Sequence, residues 1–419
     1  MRILLWHGYL LGGTGSNVYT RALARAWTQL GHDVVVFSQE RHPERFDLGD
    51  AAAVRPDIGG LLPVFVLDRY EGLEARLLQD TTAAERKRFV DANAGALREH
   101  LPADLVFANH VLLGGAVAAA AGAPFAVKAH GSELEYSIRG NPELVTWASG
   151  SLEPAQAVFV GSAHIREVLE DVLGHVERVY EVPPGVDVEQ FRPEERAVAL
   201  RALLEECGRD PPNPGNRNER LPDEGNAERL ERWFADEQPT VLYFGKLLLN
   251  KGVHVLFGAL RDFRARGEQS PRALVVGFGD YRAHLEALAP ESTLFTGPLE
   301  HRHLAHLLPL CDVCVVPSIF PEAFGMVAAE AAASGCLPLV AHHSGLAEVA
   351  VGLRTEYPAD LRHLVSFTTG DAAGLSLKLE HLLDLPSAAR DQLRSAARRA
   401  AERLWSWESV ASRLLEPFH

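Results

Sequence analysis

Two glutamates, Glu322 and Glu330, stand eight positions apart across the start of an alanine-rich stretch, Glu322-Ala-Phe-Gly-Met-Val-Ala-Ala-Glu330. An acid/base pair cutting a glycosidic bond needs its carboxyl groups about 5 Å apart for retention or roughly 6.5–9.5 Å apart for inversion. Eight residues along a helix rise about 12 Å. The two carboxylates therefore serve different parts of one extended ligand. Between them, Phe324, Gly325 and Met326 mark a helix start. The free N–H groups and the positive dipole end of such a start suit a phosphate or a developing negative charge. A loop carboxylate, an anion-binding helix start and a second carboxylate two turns on fit a sugar, a diphosphate and a ribose, in that order.

Other chemistry-bearing residues follow apolar runs. Gly245 and Lys246 come directly after Thr240–Phe244, and Lys251-Gly252 opens the next helix. A lysine at a helix start facing a glycine turn is a phosphate-binding arrangement. His130-Gly-Ser-Glu133 follows Phe125–Ala129, and ligands of open α/β sheets bind beyond the carboxyl ends of strands. Near the N-terminus, Gly12 and Gly13 lie in the loop after Arg2–Trp6. Gly13-Thr-Gly15-Ser-Asn-Val18 matches half of a dinucleotide fingerprint; it lacks the third glycine, and Glu40 would be its ribose acid. His301, His303 and His306 cluster, and Cys311-Asp-Val-Cys314 has metal-ligand spacing with no second pair. A solvated helix start and small residues entering a buried strand are the readings preferred for these two.

The elements that position these residues alternate strand with helix. Arg2–Trp6, Asp33–Ser38, Leu105–Ala108, Phe125–Ala129 and Ala157–Gly161 read as strands in the first half. Thr240–Phe244, Ala273–Gly277, Leu294–Gly297, Val313–Val316 and Leu337–Ala341 do so in the second. Helices are expected from about Asn17 to Leu30, over Thr81–His100, around Gly114–Ala121, and over Met326–Ala333 with Gly335 at its end. This alternation, in two repeats of about 185 residues each, predicts an α/β fold. The boundaries predicted are 1–185, 186–395 and 396–419, the last a helix carrying Trp405 and Trp407. Residues 205–238, polar and rich in proline and asparagine, read as a mobile insertion of unassigned role.

The chain of 419 residues is 47% hydrophobic and 23% charged, with a net charge of −15, which argues against nucleic-acid or anionic-membrane partners. Residues 1–193 hold 17 Lys and Arg against 25 Asp and Glu, a net of −8, and the basic run Arg86-Lys-Arg88 is flanked by Glu85 and Asp91. An acceptor in a membrane therefore fits poorly. Four cysteines, no cleavable signal and no bilayer-long apolar run lead to the expectation of a cytoplasmic protein without an integral membrane segment.

Glu-Ala-Phe-Gly with a second glutamate eight residues after the first resembles the E-x7-E signature of retaining nucleotide-sugar glycosyltransferases of family 4, which have two Rossmann-like lobes (the GT-B fold). The resemblance spans nearly the whole chain apart from 205–238, and it implies an interlobe cleft and a C-terminal helix that returns to the first lobe, where Trp405 and Trp407 would pack. It implies that Glu322 contacts donor-sugar hydroxyls and that Glu330 holds the nucleotide ribose. The N–H groups of Phe324, Gly325 and Met326 would face sugar and phosphate. It places His130 against the donor sugar and Lys246 and Lys251 on the diphosphate, with Lys246 standing where arginine is usual. Gly12, Gly13 and Gly245 would lie close to the donor, Leu299 in the nucleobase wall, and Glu133 at the acceptor. No Asp-x-Asp occurs in the sequence, so a metal-independent transfer with no cofactor is expected, from an NDP-sugar donor to a small soluble acceptor. An NAD-linked oxidoreductase, a sugar-nucleotide epimerase on the same scaffold and a catalytically silent binding protein remain open from sequence. Oligomeric state, base, sugar and acceptor are not encoded legibly.

Overall fold

The structure, a computed structural model, describes all residues except positions 14, 66–69, 71 and 267–269. The chain divides into two compact units, Met1–Gly185 with Trp407–His419, and Val186–Ser406.

Among the described residues the first unit carries nine strands: β1 (Arg2–Trp6), β2 (Asp33–Phe37), β3 (Ala52–Val54), β4 (Leu61–Val64), β5 (Glu74–Leu77), β6 (Leu105–Asn109), β7 (Phe125–Lys128), β8 (Ala157–Val160) and β9 (Val179–Glu181). Seven form one parallel sheet in the order β3-β2-β1-β6-β7-β8-β9, and β4 pairs with β5 beside it. The central strands β6, β7 and β8 are buried at every position, as strands covered by helices on both faces must be. Strand order reverses between β1 and β6, so their carboxyl ends open the crevice where α/β sheets bind ligands.

The second unit repeats the plan with β10 (Thr240–Phe244), β11 (Arg272–Val276), β12 (Thr293–Phe295), β13 (Val313–Val316), β14 (Leu337–Ala341) and β15 (Ser366–Phe367). These are parallel in the order β12-β11-β10-β13-β14-β15, with the reversal between β10 and β13. The helix Met326–Ala333 presents Ala328, Ala329, Ala331, Ala332 and Ala333 to the core. Residues this small let a helix lie close on the sheet.

Two expectations are corrected. The segment 205–238 is a folded part of the second unit rather than a mobile insertion. Its composition concealed two helices, the end of Arg196–Cys207 and Asn226–Trp233, and the segment buries Cys207, Leu230 and Phe234. Asn213 ties the intervening loop by donating its Nδ2 to the carbonyls of Asn218 and Pro222, both at 3.0 Å. The C-terminal helix also divides later than expected. Ser387–Ala400 and a π turn over Ala401–Trp405 belong to the second unit, where Trp405 packs edge-on to Phe324. Ser406 is extended, and only from Trp407 onward does the chain join the first unit. There Trp407 meets Tyr19 and lies over Gly185, and Trp27 Nε1 donates to the Ala411 carbonyl at 3.0 Å. The two tryptophans thus serve different units, separated by one residue.

Among the described residues no helix is long and apolar enough to cross a membrane.

Candidate active site

The second-unit site is assembled at the β10/β13 reversal. Past β10, Gly245 (φ +145°) turns the chain, Leu249–Lys251 form a single 3-10 turn, and Gly252 (φ +72°) leads into the helix Val253–Ala265. Past β13, Pro317–Phe324 runs as a loop to Gly325, which caps the helix Met326–Ala333 with no side chain. A Cβ on Gly252 would lie 1.9 Å from the Pro317 carbonyl oxygen, so the two loops touch backbone to backbone. Ile319 N–H and Ser318 Oγ both donate to the Asn250 carbonyl, at 2.9 and 3.2 Å. This contact brings Lys251 Nζ to 2.5 Å from Glu322 Oε1, with both side chains partly exposed.

His343 and Ser344, not singled out in the sequence, hold Glu322 in place together with Gly345. Its N–H donates to Ser344 Oγ at 2.9 Å, and its carbonyl accepts from Gly345 N–H at 3.0 Å. His343 Nε2 donates to the Ser318 carbonyl at 2.7 Å, while its Nδ1 lies 2.9 Å from Ser344 Oγ. Ser344 adopts φ +45°, the left-handed region unusual for a residue with a Cβ. Gly345 is forced to be glycine, since a Cβ would lie 2.4 Å from the Phe324 Cα. A histidine-serine-glycine run directly after a buried strand was the available signal.

Around this centre, Lys246 is exposed and its carbonyl accepts from the Tyr243 hydroxyl at 2.7 Å. Phe324 is buried, and Gly325 (φ +138°) leaves the first-turn N–H groups of Met326 and Val327 without a side-chain cap. The helix start at which the sequence led to the expectation of a bound anion is thus uncapped by any side chain. Glu330 is buried on the helix, 3.7 Å from His301 Nε2, and burial pushes its carboxyl up to about 8. Leu299 is buried in the loop after β12.

The first-unit residues gather at the ends of β1, β6 and β7. His7 Nε2 lies 2.8 Å from Asn17 Oδ1, and Asn17 Nδ2 in turn donates to the Gly12 carbonyl, which fixes the loop. Gly13 (φ +96°) has open space where a Cβ would be, whereas Gly12 borders the Phe46 ring. His130 Nε2 sits 2.9 Å from Asn109 Oδ1, whose amide donates to Thr20 Oγ1 at 3.2 Å. Burial holds His130 well below the usual imidazole range, with Lys128 and His7 adding to the shift. It is therefore neutral at pH 7, and its Nε2–H donates to Asn109. Burial likewise lowers His7 to about 4 and Lys128 to about 7, the latter with Nζ 2.8 Å from the Val182 carbonyl. His110 takes φ +72° between the rings of His7 and His130, and neither of its ring nitrogens has a hydrogen-bond partner among the described residues.

Glu133 corrects an expectation. It is fully buried, its oxygens accepting from Val111 N–H at 2.8 Å and His130 N–H at 3.1 Å. Desolvation, partly offset by these N–H groups, raises its carboxyl to about 8. It positions the turn that carries His130 and does not reach solvent to meet an acceptor.

The histidine cluster separates. His301 faces Glu330, His306 Nδ1 pairs with Glu194 at 2.8 Å, and His303 is buried beside Cys207 and Asp210 in a metal-sized group. His303 Nδ1 accepts the Glu300 N–H at 3.2 Å, so its proton sits on Nε2, towards Asp210 Oδ1 at 3.0 Å. All four cysteines are free and buried.

Comparison with known proteins follows this division. Residues 13–190 match the family described as Glycosyltransferase Family 4, and residues 227–400 match Glycosyl transferases group 1. A glycogen synthase of Mycobacterium tuberculosis is 33% identical over 192 residues, 43% of this chain and 44% of that protein's length. A D-inositol 3-phosphate glycosyltransferase of Xylanimonas cellulosilytica is 29% identical over 427 residues, covering 96% of this chain and 91% of that protein. The Anabaena protein Alr3699/HepE, solved in complex with UDP and glucose, superposes with a TM-score of 0.64 at 16% identity, covering 99% of this chain and 98% of that one. With both halves matched in order on two parallel Rossmann-like sheets, the chain belongs to the family 4 glycosyltransferases.

Proposed function

We propose that this protein is a retaining glycosyltransferase that moves a sugar from an NDP-sugar to a small soluble acceptor without a metal. The observation that carries this reading is the Lys251–Glu322 pair at the β10/β13 reversal, beside the uncapped start of Met326–Ala333. Lys251, Lys246 and the first-turn N–H groups supply positive potential where the leaving NDP gains charge. Glu322 takes the sugar hydroxyls and Glu330 the ribose. His130, neutral, serves the sugar as a hydrogen-bonding group rather than as a cation. The anomeric centre becomes oxocarbenium-like, as in other glycosyl transfers. Glu133, whose oxygens are taken by backbone N–H groups, has no role as a covalent nucleophile in this reading. The reading therefore has the departing phosphate take the acceptor proton on the face it leaves, which keeps the α configuration. The names of the inositol-phosphate and UDP-bound relatives support a nucleotide-sugar donor and a polar acceptor.

The test is incubation with radiolabelled UDP-, GDP- and ADP-sugars, scoring NDP release and the anomeric configuration of the product. NDP release with retention is expected. An inverted product would remove the proposed route, and NAD reduction without NDP release would restore the oxidoreductase reading. Co-sedimentation with anionic liposomes at low salt checks the acceptor, and robust salt-reversible binding would overturn the soluble assignment.

A further inference from the structure

The segment 205–238 lies directly beneath the loops that follow β11 and β12. Asp223, a nearly buried residue, donates its N–H to the Thr296 carbonyl at 2.8 Å. Its carboxylate takes both arms of the Arg282 guanidinium, Nη1 at 2.9 Å and Nη2 at 2.6 Å. Asn226 Nδ2 donates to the same Thr296 carbonyl at 2.9 Å, and Arg229 Nη2 donates to the Phe295 carbonyl at 2.6 Å. Gly297 (φ +68°) has no room for a Cβ, which would lie 2.7 Å from Asp223 Oδ1. The segment therefore bonds to the chain immediately before Leu299 and to the helix that closes the Gly277–Asp280 loop. Those two loops are tied together by Gly277 N–H to the Gly297 carbonyl, at 2.9 Å. They are also tied to the lysine loop after β10, because Leu247 N–H donates to the Phe278 carbonyl at 2.7 Å and its own carbonyl accepts from Tyr281 N–H at 3.0 Å.

Neighbouring strands stand about 4.8 Å apart. A ligand whose diphosphate lies at the β10/β13 reversal thus reaches the β11 and β12 loops with a group extending roughly 5–10 Å sideways, the span of a nucleoside. We infer that the 205–238 segment is a brace for the base end of the donor, with Asp223 as the positioning residue that sets nucleotide affinity. This rests on the nucleotide-sugar reading above. Asp223 acts through the two partners it holds, Arg282 and Thr296. Replacing the carboxylate with an amide breaks a two-armed charge-assisted contact of fixed geometry and lets the paired loops separate.

The experiment is calorimetry on the full chain with UDP, GDP, ADP and, separately, inorganic pyrophosphate, comparing wild type with Asp223→Asn and Asn226→Ala. For the nucleotide the wild type binds best, each variant is expected to raise Kd about tenfold, one decade of affinity, while pyrophosphate affinity stays within about twofold. In turnover, donor KM rises with kcat nearly unchanged. Asn226→Ala removes the bond to the Thr296 carbonyl and the one that Asn226 Oδ1 accepts from Arg229 Nη1 at 3.2 Å, leaves the Asp223–Arg282 contact intact, and keeps the test open if Asp223→Asn misfolds. Variants that bind nucleotide as well as wild type, or that lose pyrophosphate and nucleotide equally, overturn the brace and leave the functional reading standing. A wild type that binds no nucleotide overturns both.

Discussion

Removing Lys251 should do more than delete one phosphate contact, because its ammonium also neutralises Glu322 at 2.5 Å. A hydrogen bond to a charged group contributes about 1.5–3 kcal/mol. Both side chains keep some exposure, 30% for Lys251 and 22% for Glu322, so solvent screening favours the lower half of that range. Lys251→Ala should then weaken NDP by about 10–30-fold. Part of that loss is repulsion of the diphosphate by the carboxylate left behind. In a Glu322→Gln background that repulsion is gone, and the same lysine deletion should cost about fivefold less, a coupling of about 1 kcal/mol. Glu322→Gln alone should keep or slightly tighten NDP while abolishing transfer, because it touches the sugar end. The assay is a double-mutant cycle in NDP affinity by calorimetry, with thermal unfolding confirming that each variant folds. Additivity within about 0.5 kcal/mol would show that Lys251 and Glu322 do not share the site. Equal loss of NDP by both single variants would refute the division between phosphate and sugar.

Burial raises the Glu330 carboxyl to about 8 against an ordinary value of 4.5, so the folded chain holds a proton that the unfolded chain releases. Stability from this group is full below pH 4.5 and is lost as pH rises through 8; urea unfolding at pH 5 and pH 8 should show that loss in wild type and less of it in Glu330→Gln, which should also bind NDP more weakly. Gly252→Ala places a Cβ 1.9 Å from the Pro317 carbonyl at φ +72° and should destabilise by about 1–3 kcal/mol while lowering turnover, read by denaturation midpoint and kcat/KM. Turnover should survive EDTA, since the two lysines and the helix start supply the charge; a loss restored by Mn²⁺ or Mg²⁺ would contradict this.

Much of this protein was legible in its sequence, and the reason is local. Strands such as Val313–Val316 and Leu337–Ala341 are continuous apolar runs because both faces of a parallel sheet are covered, and the helix Met326–Ala333 is bounded by two glycines of positive φ. Residues in the loops that follow such strands, Lys251, His130 and Glu322, fall at the carboxyl end of a sheet by topology alone. What sequence did not decide was which of these groups meet and which are spent. That Lys251 pairs with Glu322 depends on two loops 71 positions apart touching through Gly252 and Pro317. That Glu133 is consumed by backbone N–H groups depends on the turn at Val111, in a different strand-loop unit. The segment 205–238 looked disordered because its few apolar residues are far apart; they find a core only against the second sheet, and its polar residues find partners at Arg282 and Thr296. Short-range patterning sets element type and order, because pleat and helix period act over a few residues. The partner of a buried charge or carbonyl is fixed only when the sheet closes and desolvation makes every unpaired group costly.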